Sequence, residues 1–197
     1  MRVVAGSARG RRLIAPTGER TRPTSDRVRE AVFNSLGSQG VLDAAFVVDL
    51  FAGTGALGIE ALSRGAEHAW FVEHDRAALD ALRDNLRSTG LEGRATVEAV
   101  PVDRALAPGG PLVEVAADLI VADPPYSFDG WEELCAVAFA RWPAALLVAE
   151  SDRPVEIDPA GGTGRLVASR RYGTTVVSFL RGGVEVDEQD PEPGRPG

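Results

Sequence analysis

From residue 46 onward, short apolar runs alternate with stretches of helical periodicity. Residues 46–51, 68–72, 95–99, 119–122 and 145–149 are four to six residues long and rich in branched or aromatic side chains. Such runs predict strands buried on both faces. Residues 56–64, 77–88 and 130–140 space their apolar residues as helices do; the first stops at Gly65, and Asp75 stands as the N-cap of the second. Alternation of this kind predicts a parallel sheet with right-handed crossovers. Both ends of the chain depart from it. Residues 2–4 and 11–14 flank a glycine-bounded turn, residues 6–10, and predict a β-hairpin. Val28, Val32 and Leu36 then repeat at i+4 behind Thr24 or Ser25, predicting a capped helix that stops at Gly37. Residues 166–172 and 175–180 around Gly173 predict a second hairpin, which adds an antiparallel strand to the sheet. The body, residues 1–182, reads as one α/β domain in which residues 1–40 form a hairpin-and-helix extension.

Charge is distributed unevenly. The net charge is −8, which by itself disfavours a nucleic-acid partner. All 21 basic residues are arginine, however, and eight of them lie within the first 30 positions against three acids, a local charge of +5. The tail, residues 183–197, is the reverse: five acids and three prolines against Arg195, the composition of a disordered segment. Arginine forks suit phosphates and stack on bases, so Arg9, Arg11 and Arg12 are candidate nucleic-acid contacts, a solvated basic arm being the plainer alternative. The single cysteine, Cys135, excludes an internal disulfide, and two histidines, His68 and His74, offer no metal cluster. The first residues lack the apolar core of a signal peptide, and no apolar run reaches membrane-spanning length; the expected address is the cytoplasm.

Two motifs carry the chemistry. In the first, Asp49-Leu-Phe-Ala-Gly-Thr-Gly-Ala-Leu-Gly58, Gly53, Gly55 and Gly58 have the spacing G-x-G-x-x-G between a strand and a helix. Glycines there let a ligand approach the backbone at a helix N-terminus. Glu73 follows 20 residues after Gly53, at the end of the next strand, where an acid meets a ribose in nucleotide-binding βαβ units. A dinucleotide and S-adenosylmethionine both fit the unit. Asp49 would be misplaced beside a pyrophosphate but suits the ammonium and sulfonium of the second ligand; a helix or turn cap is its simpler role. The other motif, Asp123-Pro-Pro-Tyr126, ends the strand 119–122. A carboxylate, rigid proline carbonyls and a flat ring suit a planar group bearing an exocyclic amine, although Asp-Pro-Pro also serves as an ordinary loop stop.

With these residues in view the chain resembles class I methyltransferases that act on exocyclic amines. The N-terminal blocks Gly6-Ser-Ala-Arg-Gly-Arg-Arg12 and Arg22-Pro-Thr-Ser-Asp-Arg-Val-Arg-Glu-Ala-Val-Phe-Asn34 narrow the likeness to the bacterial 16S ribosomal RNA guanine-N2 methyltransferase family, from about Arg2 to Leu180. That resemblance implies a Rossmann-like, mostly parallel seven-stranded sheet closed by an antiparallel strand. It implies S-adenosylmethionine held by Asp49, Phe51, Ala52, Gly53, Thr54, Gly55, Glu73, His74 and Val102, with Thr24 assisting, and no metal. Asp123, Pro124, Pro125 and Tyr126 would be the catalytic set; Arg22 and Arg27 would join Arg9, Arg11 and Arg12 on 16S rRNA or an assembling small subunit, the enzyme acting as a monomer. DNA adenine and cytosine amino-methyltransferases share the Asp-Pro-Pro-Tyr tetrapeptide, and a silent nucleic-acid-binding module would keep the fold. One departure stands out. Relatives commonly carry Asp-Ala or Asn-Ala after the third strand, whereas this chain has Val100-Pro-Val-Asp103, leaving Val102 or Asp103 to meet an adenine.

Overall fold

The computed structural model describes residues 1–15, 23–157 and 164–183, with side chains from residue 26 in the first helix. Seven strands form one sheet in the order β3-β2-β1-β4-β5-β7-β6. They are β1 (Phe46–Leu50), β2 (His68–Val72), β3 (Ala95–Glu98), β4 (Leu119–Ala122), β5 (Leu146–Ser151), β6 (Arg165–Tyr172) and β7 (Thr175–Arg181). The first five are parallel, and β7 runs antiparallel between β5 and β6. The sheet expected from the apolar runs is therefore present, closed by its C-terminal hairpin.

The α-helices among the described residues are α1 (Pro23–Ser38), α2 (Ala56–Ser63), α3 (Arg76–Thr89), α4 (Val102–Leu106) and α5 (Trp131–Arg141). Period-two alternation along the strands sends successive residues to opposite layers. Val47, Ala69, Phe71, Leu119 and Val121 pack with Val28, Phe33 and Leu36 of α1, Ile59 and Leu62 of α2, and Leu82 and Leu86 of α3. Val48, Leu50, Val72, Ile120 and Ala122 pack with Ala105 and Leu106 of α4 and with Leu134, Cys135, Ala138 and Phe139 of α5. Every residue of β4 is buried, as its unbroken apolar run requires. Burial pushes the Cys135 thiol up to about 12, so it stays protonated and serves as packing.

The N-terminal hairpin is present in short form: one antiparallel bridge, Arg2 to Arg12, is flanked by the Val3 N–H bonded to the Arg11 carbonyl and the Leu13 N–H bonded to the Met1 carbonyl, both at 3.0 Å. The rest of its polar backbone turns toward α2, as described below. The start of the first helix needs correction. Thr24 and Ser25 do not precede α1 but lie within it, because the helix starts at Pro23; proline's fixed φ and missing N–H suit a first helical turn. Finally, the segment after β3 is helical: Pro101 leads into α4, so Val102 and Asp103 sit on a helix N-terminus. Asp75 does cap α3, accepting from the Ala78 N–H at 2.9 Å. The expected acidic tail lies outside the described residues, except for Gly183.

Candidate active site

Strands β1 and β4 are neighbours, with Leu50 paired to Ala122. The two motifs, 74 positions apart at Asp49 and Asp123, are thereby brought side by side at the carboxyl ends of adjacent parallel strands. The crossovers diverge there: β2 and β3 lie on one side of β1, β5 and β7 on the other. Open α/β sheets bind ligands at such a switch point.

The glycine turn is held from beneath by the two acids. One Asp49 oxygen, Oδ2, accepts the Gly58 N–H at 2.8 Å and so caps α2. The side chain is 1% exposed, and burial pushes its carboxyl up to about 7, opposed by the Gly58 hydrogen bond and reinforced by the nearby Glu73 charge. Glu73 accepts three backbone N–H groups: Gly53 at 2.8 Å, His74 at 2.6 Å and Asp75 at 2.7 Å. It therefore ties the tip of the β1 turn to the end of β2. Gly53 itself takes φ +53°, and a Cβ built there would meet nothing within 4 Å, so the turn faces open space. At Gly58 the reason for glycine is different. A Cβ would lie 2.4 Å from the Phe71 ring and 3.1 Å from Asp49 Oδ2. Phe51 adopts φ +62°, a strained conformation for a side chain of its size. Its ring meets Phe128 edge-on at 5.2 Å, and Phe128 meets Trp131 at 5.2 Å and 88°.

Asp123 leaves β4 exposed at the sheet end, with Pro124 buried behind it and Pro125 and Tyr126 exposed. The Pro125 carbonyl accepts the Phe128 N–H at 2.8 Å, closing the loop. A cleft of about 980 Å³ opens beside Phe51, His74, Val102, Asp103 and Phe128 and continues between α4 and α5. Of the expected cofactor residues Phe51, His74 and Val102 line it; Asp49 and Glu73 hold the adjoining glycine turn. Thr24 is on the first turn of α1, and Arg22 lies outside the described residues. Arg9, Arg11, Arg12 and Arg27 are exposed, but the loop bearing the first three is bound to the C-terminal end of α2, where Ser7 N–H donates to the Ser63 carbonyl at 2.7 Å. That end is about 12 Å, eight residues of helix, from the glycine turn.

Sequence reasoning missed three residues. Phe128 shapes the cleft, and an aromatic two positions past Tyr126 was the available signal. Asn85, buried on α3, accepts from Ile14 N–H at 2.8 Å and donates to the Ile14 and Thr54 carbonyls at 3.0 and 2.9 Å. It joins the N-terminal arm to the glycine turn. Glu60, fully buried on α2, accepts from Val4 and Ala5 N–H at 2.8 and 3.1 Å and from Arg64 Nε at 2.7 Å. Nothing in the local pattern separates these two from ordinary helix polar residues.

The fold and the paired strand-end motifs are those of Rossmann-like methyltransferases. An Escherichia coli protein described as "Putative methyltransferase yhhF" superposes with a TM-score of 0.78 at 34% identity, covering 92% of this chain and 97% of that one. A Pyrococcus horikoshii structure described as a "putative RNA methyltransferase" shares the fold at 17% identity, with a TM-score of 0.67 and coverage of 88% and 94%. Among curated proteins, "Putative rRNA methyltransferase YlbH" of Bacillus subtilis is 38% identical over 184 residues, 92% of this chain and 98% of that one. "Ribosomal RNA small subunit methyltransferase D" of Escherichia coli is 38% identical over 126 residues, 64% of this chain and 60% of that protein. The profile of the family described as conserved hypothetical protein 95 matches residues 1–181, and the chain belongs to that family of methyltransferases.

Proposed function

We propose that this protein transfers a methyl group from S-adenosylmethionine to the exocyclic N2 of a guanine in small-subunit ribosomal RNA. The observation that carries the reading is the adjacency of Asp123-Pro-Pro-Tyr126 to the glycine turn across the β1–β4 pair. The names of the relatives support rRNA as the substrate class, and the family resemblance supports guanine N2.

The residues present fit the donor. Gly53 turns a left-handed, open backbone toward the site, Phe51, His74 and Val102 line the adjoining cleft, and Glu73 and Asp49 supply the acids for a hydroxyl pair and a cation. When bound, S-adenosylmethionine supplies a methyl group made electrophilic by its sulfonium. The remaining work falls to the chain. Guanine N2 is a weak nucleophile because its lone pair is delocalised into the ring. The Asp123 carboxylate and the Pro124 carbonyl accept its two hydrogens, which favours a pyramidal nitrogen and frees that lone pair. Tyr126, with its exposed ring, stacks on the base and fixes the angle of approach. Proximity and orientation then supply most of the acceleration.

The test is direct. Asp123→Ala should abolish methyl transfer to small-subunit rRNA and leave binding of S-adenosylhomocysteine within about twofold. Turnover retained in this variant would remove Asp123 from the chemistry. Nucleoside mass spectrometry of small-subunit rRNA from cells lacking the gene should show one N2-methylguanosine missing. Transfer to duplex DNA but not to rRNA would favour the DNA amino-methyltransferase alternative.

A further inference from the structure

The C-terminal hairpin carries a charge that the N-terminal arginines do not explain. Between residues 164 and 183 there are four arginines, Arg165, Arg170, Arg171 and Arg181, and no acid. Three of them lie on β6, the sheet's outermost strand, and Arg165, Arg170 and Arg171 are all exposed. None of these three forms an ion pair among the described residues. The charges are also directed. Ala168 and Tyr172 pack against the α1–α3 layer; Arg170, between them in the alternation, shares that face and holds its guanidinium 5.7 Å from the Phe179 ring centre. Arg171 points to the opposite face, so the two guanidiniums straddle the strand edge.

Register places them level with the chemistry. Glu150 of β5 pairs with Val177, and Val177 with Arg170. Ala122 pairs with Ala149, so Asp123 stands in the same row as Glu150. Three inter-strand steps separate that row's ends, about 14 Å. This is the length of about four stacked nucleotides at ~3.4 Å each. Nearby acids are the half-buried Glu150 and the exposed Asp152 and Glu156, the last beside Val155, whose N–H donates to Ser178; Arg153 is the one basic residue among them.

We propose that the β6 edge, through Arg170 and Arg171 with Arg165 below them, is a phosphate-binding track for the RNA strand that enters the active site. The inference rests on the RNA reading above and adds a second basic surface, on the opposite side of the site from the Arg9–Arg12 loop. Arginine suits the track because its planar fork binds phosphate oxygens in pairs. The competing explanation is that charges on an exposed edge strand only prevent pairing with another chain.

Fluorescence anisotropy with a small-subunit rRNA fragment separates the two. Arg170→Ala with Arg171→Ala should weaken binding about tenfold and lower the slope of log affinity against log salt by about 1.4 to 1.8. KM for RNA should rise while kcat and S-adenosylhomocysteine affinity hold, and Arg170→Lys with Arg171→Lys should recover most of the loss. Since Arg170 also stacks on Phe179, Arg171→Ala alone serves as the control with an intact hairpin, and about half the slope change should persist in it. RNA affinity and slope equal to wild type, with the variants self-associating, would overturn the track and leave an edge guard. Should the wild-type protein transfer no methyl to rRNA, the RNA reading falls and the track with it; wild-type transfer matched by every variant removes the track alone.

Discussion

At Asp49, burial and function pull in opposite directions. Desolvation pushes its carboxyl from 3.8 up to about 7, with the Gly58 N–H opposing and the Glu73 charge assisting. Between these two values the folded protein keeps a proton that the unfolded chain has lost. Stability therefore falls as pH rises from about 4 to about 7 on account of this group, and the dependence ends outside that window. Asp49→Asn should flatten that part of a urea-denaturation series measured against pH; an unchanged profile would assign the dependence elsewhere. The same group should report on the proposed cofactor. A bound ammonium favours the carboxylate, so binding of S-adenosylhomocysteine near pH 6 should release a proton. Calorimetry in buffers of different ionisation enthalpy measures that proton, and proton uptake on binding would contradict the placement of the cation. The motif spacing made Asp49 and Glu73 visible as candidates. The helix cap weighed for Asp49 is present on α2, but the three N–H groups gathered by Glu73 were not legible, because a carboxylate's partners depend on how two loops converge in space.

Among the elements, the long ones were legible and the joints between them were not. Apolar runs and helical spacing located all seven strands and α1, α2, α3 and α5 to within about a turn, since each is set by burial of its own face. Helix α4 has only five residues, and its buried pair, Ala105 and Leu106, is too short a pattern to announce a helix. The N-terminal hairpin stays short, and polar backbone outside its few cross-arm bonds is satisfied by side chains more than 50 positions away. Glu60 takes the Val4 and Ala5 N–H groups, while Ser63 accepts from Ala8 N–H at 3.0 Å and donates to the Ala5 carbonyl at 2.5 Å. Glu60 also faces Arg64 at 2.7 Å and Arg29 at 3.7 Å, and both arginines have little exposure. Glu60→Ala would leave the Arg64 guanidinium without its carboxylate and the buried Arg29 with Asp26 alone, at a cost of about 3–5 kcal/mol. Chemical denaturation should show that loss, and a change below about 1 kcal/mol would mean the arm is held by other contacts. Asn85→Ala strips partners from the Ile14 N–H and from the Ile14 and Thr54 carbonyls; a loss of about 2–4 kcal/mol is expected. Because Thr54 belongs to the glycine turn, this variant should also weaken cofactor binding, and Glu60→Ala should not.

For the whole molecule, net charge misleads because charge sign is segregated along the chain. The basic N-terminal segment and the acidic tail nearly cancel, so the value of −8 comes from the body between them, and an RNA responds to the local field within about 8–10 Å in physiological salt. The loop from Ser7 to Arg12 is fixed to the C-terminal end of α2, a helix length from the glycine turn, and presents Arg9, Arg11 and Arg12 to solvent. On the proposed RNA reading, its arginines, a helix length from the glycine turn, would meet phosphates some distance along the RNA and not the base being methylated. That geometry gives a sharper expectation than charge alone. Arg11→Glu with Arg12→Glu should weaken rRNA binding at least tenfold at about 0.15 M salt and flatten the salt dependence, while kcat at saturating RNA and cofactor affinity stay at wild-type values. A fall in kcat with RNA affinity preserved would instead place the loop in the chemistry. The two basic surfaces, this loop and the β6 edge, lie on different elements and share no side chain. Charge reversals in the two should therefore add in binding free energy if one RNA spans both. A combined variant no weaker than the weaker single one would mean that only one surface meets the RNA.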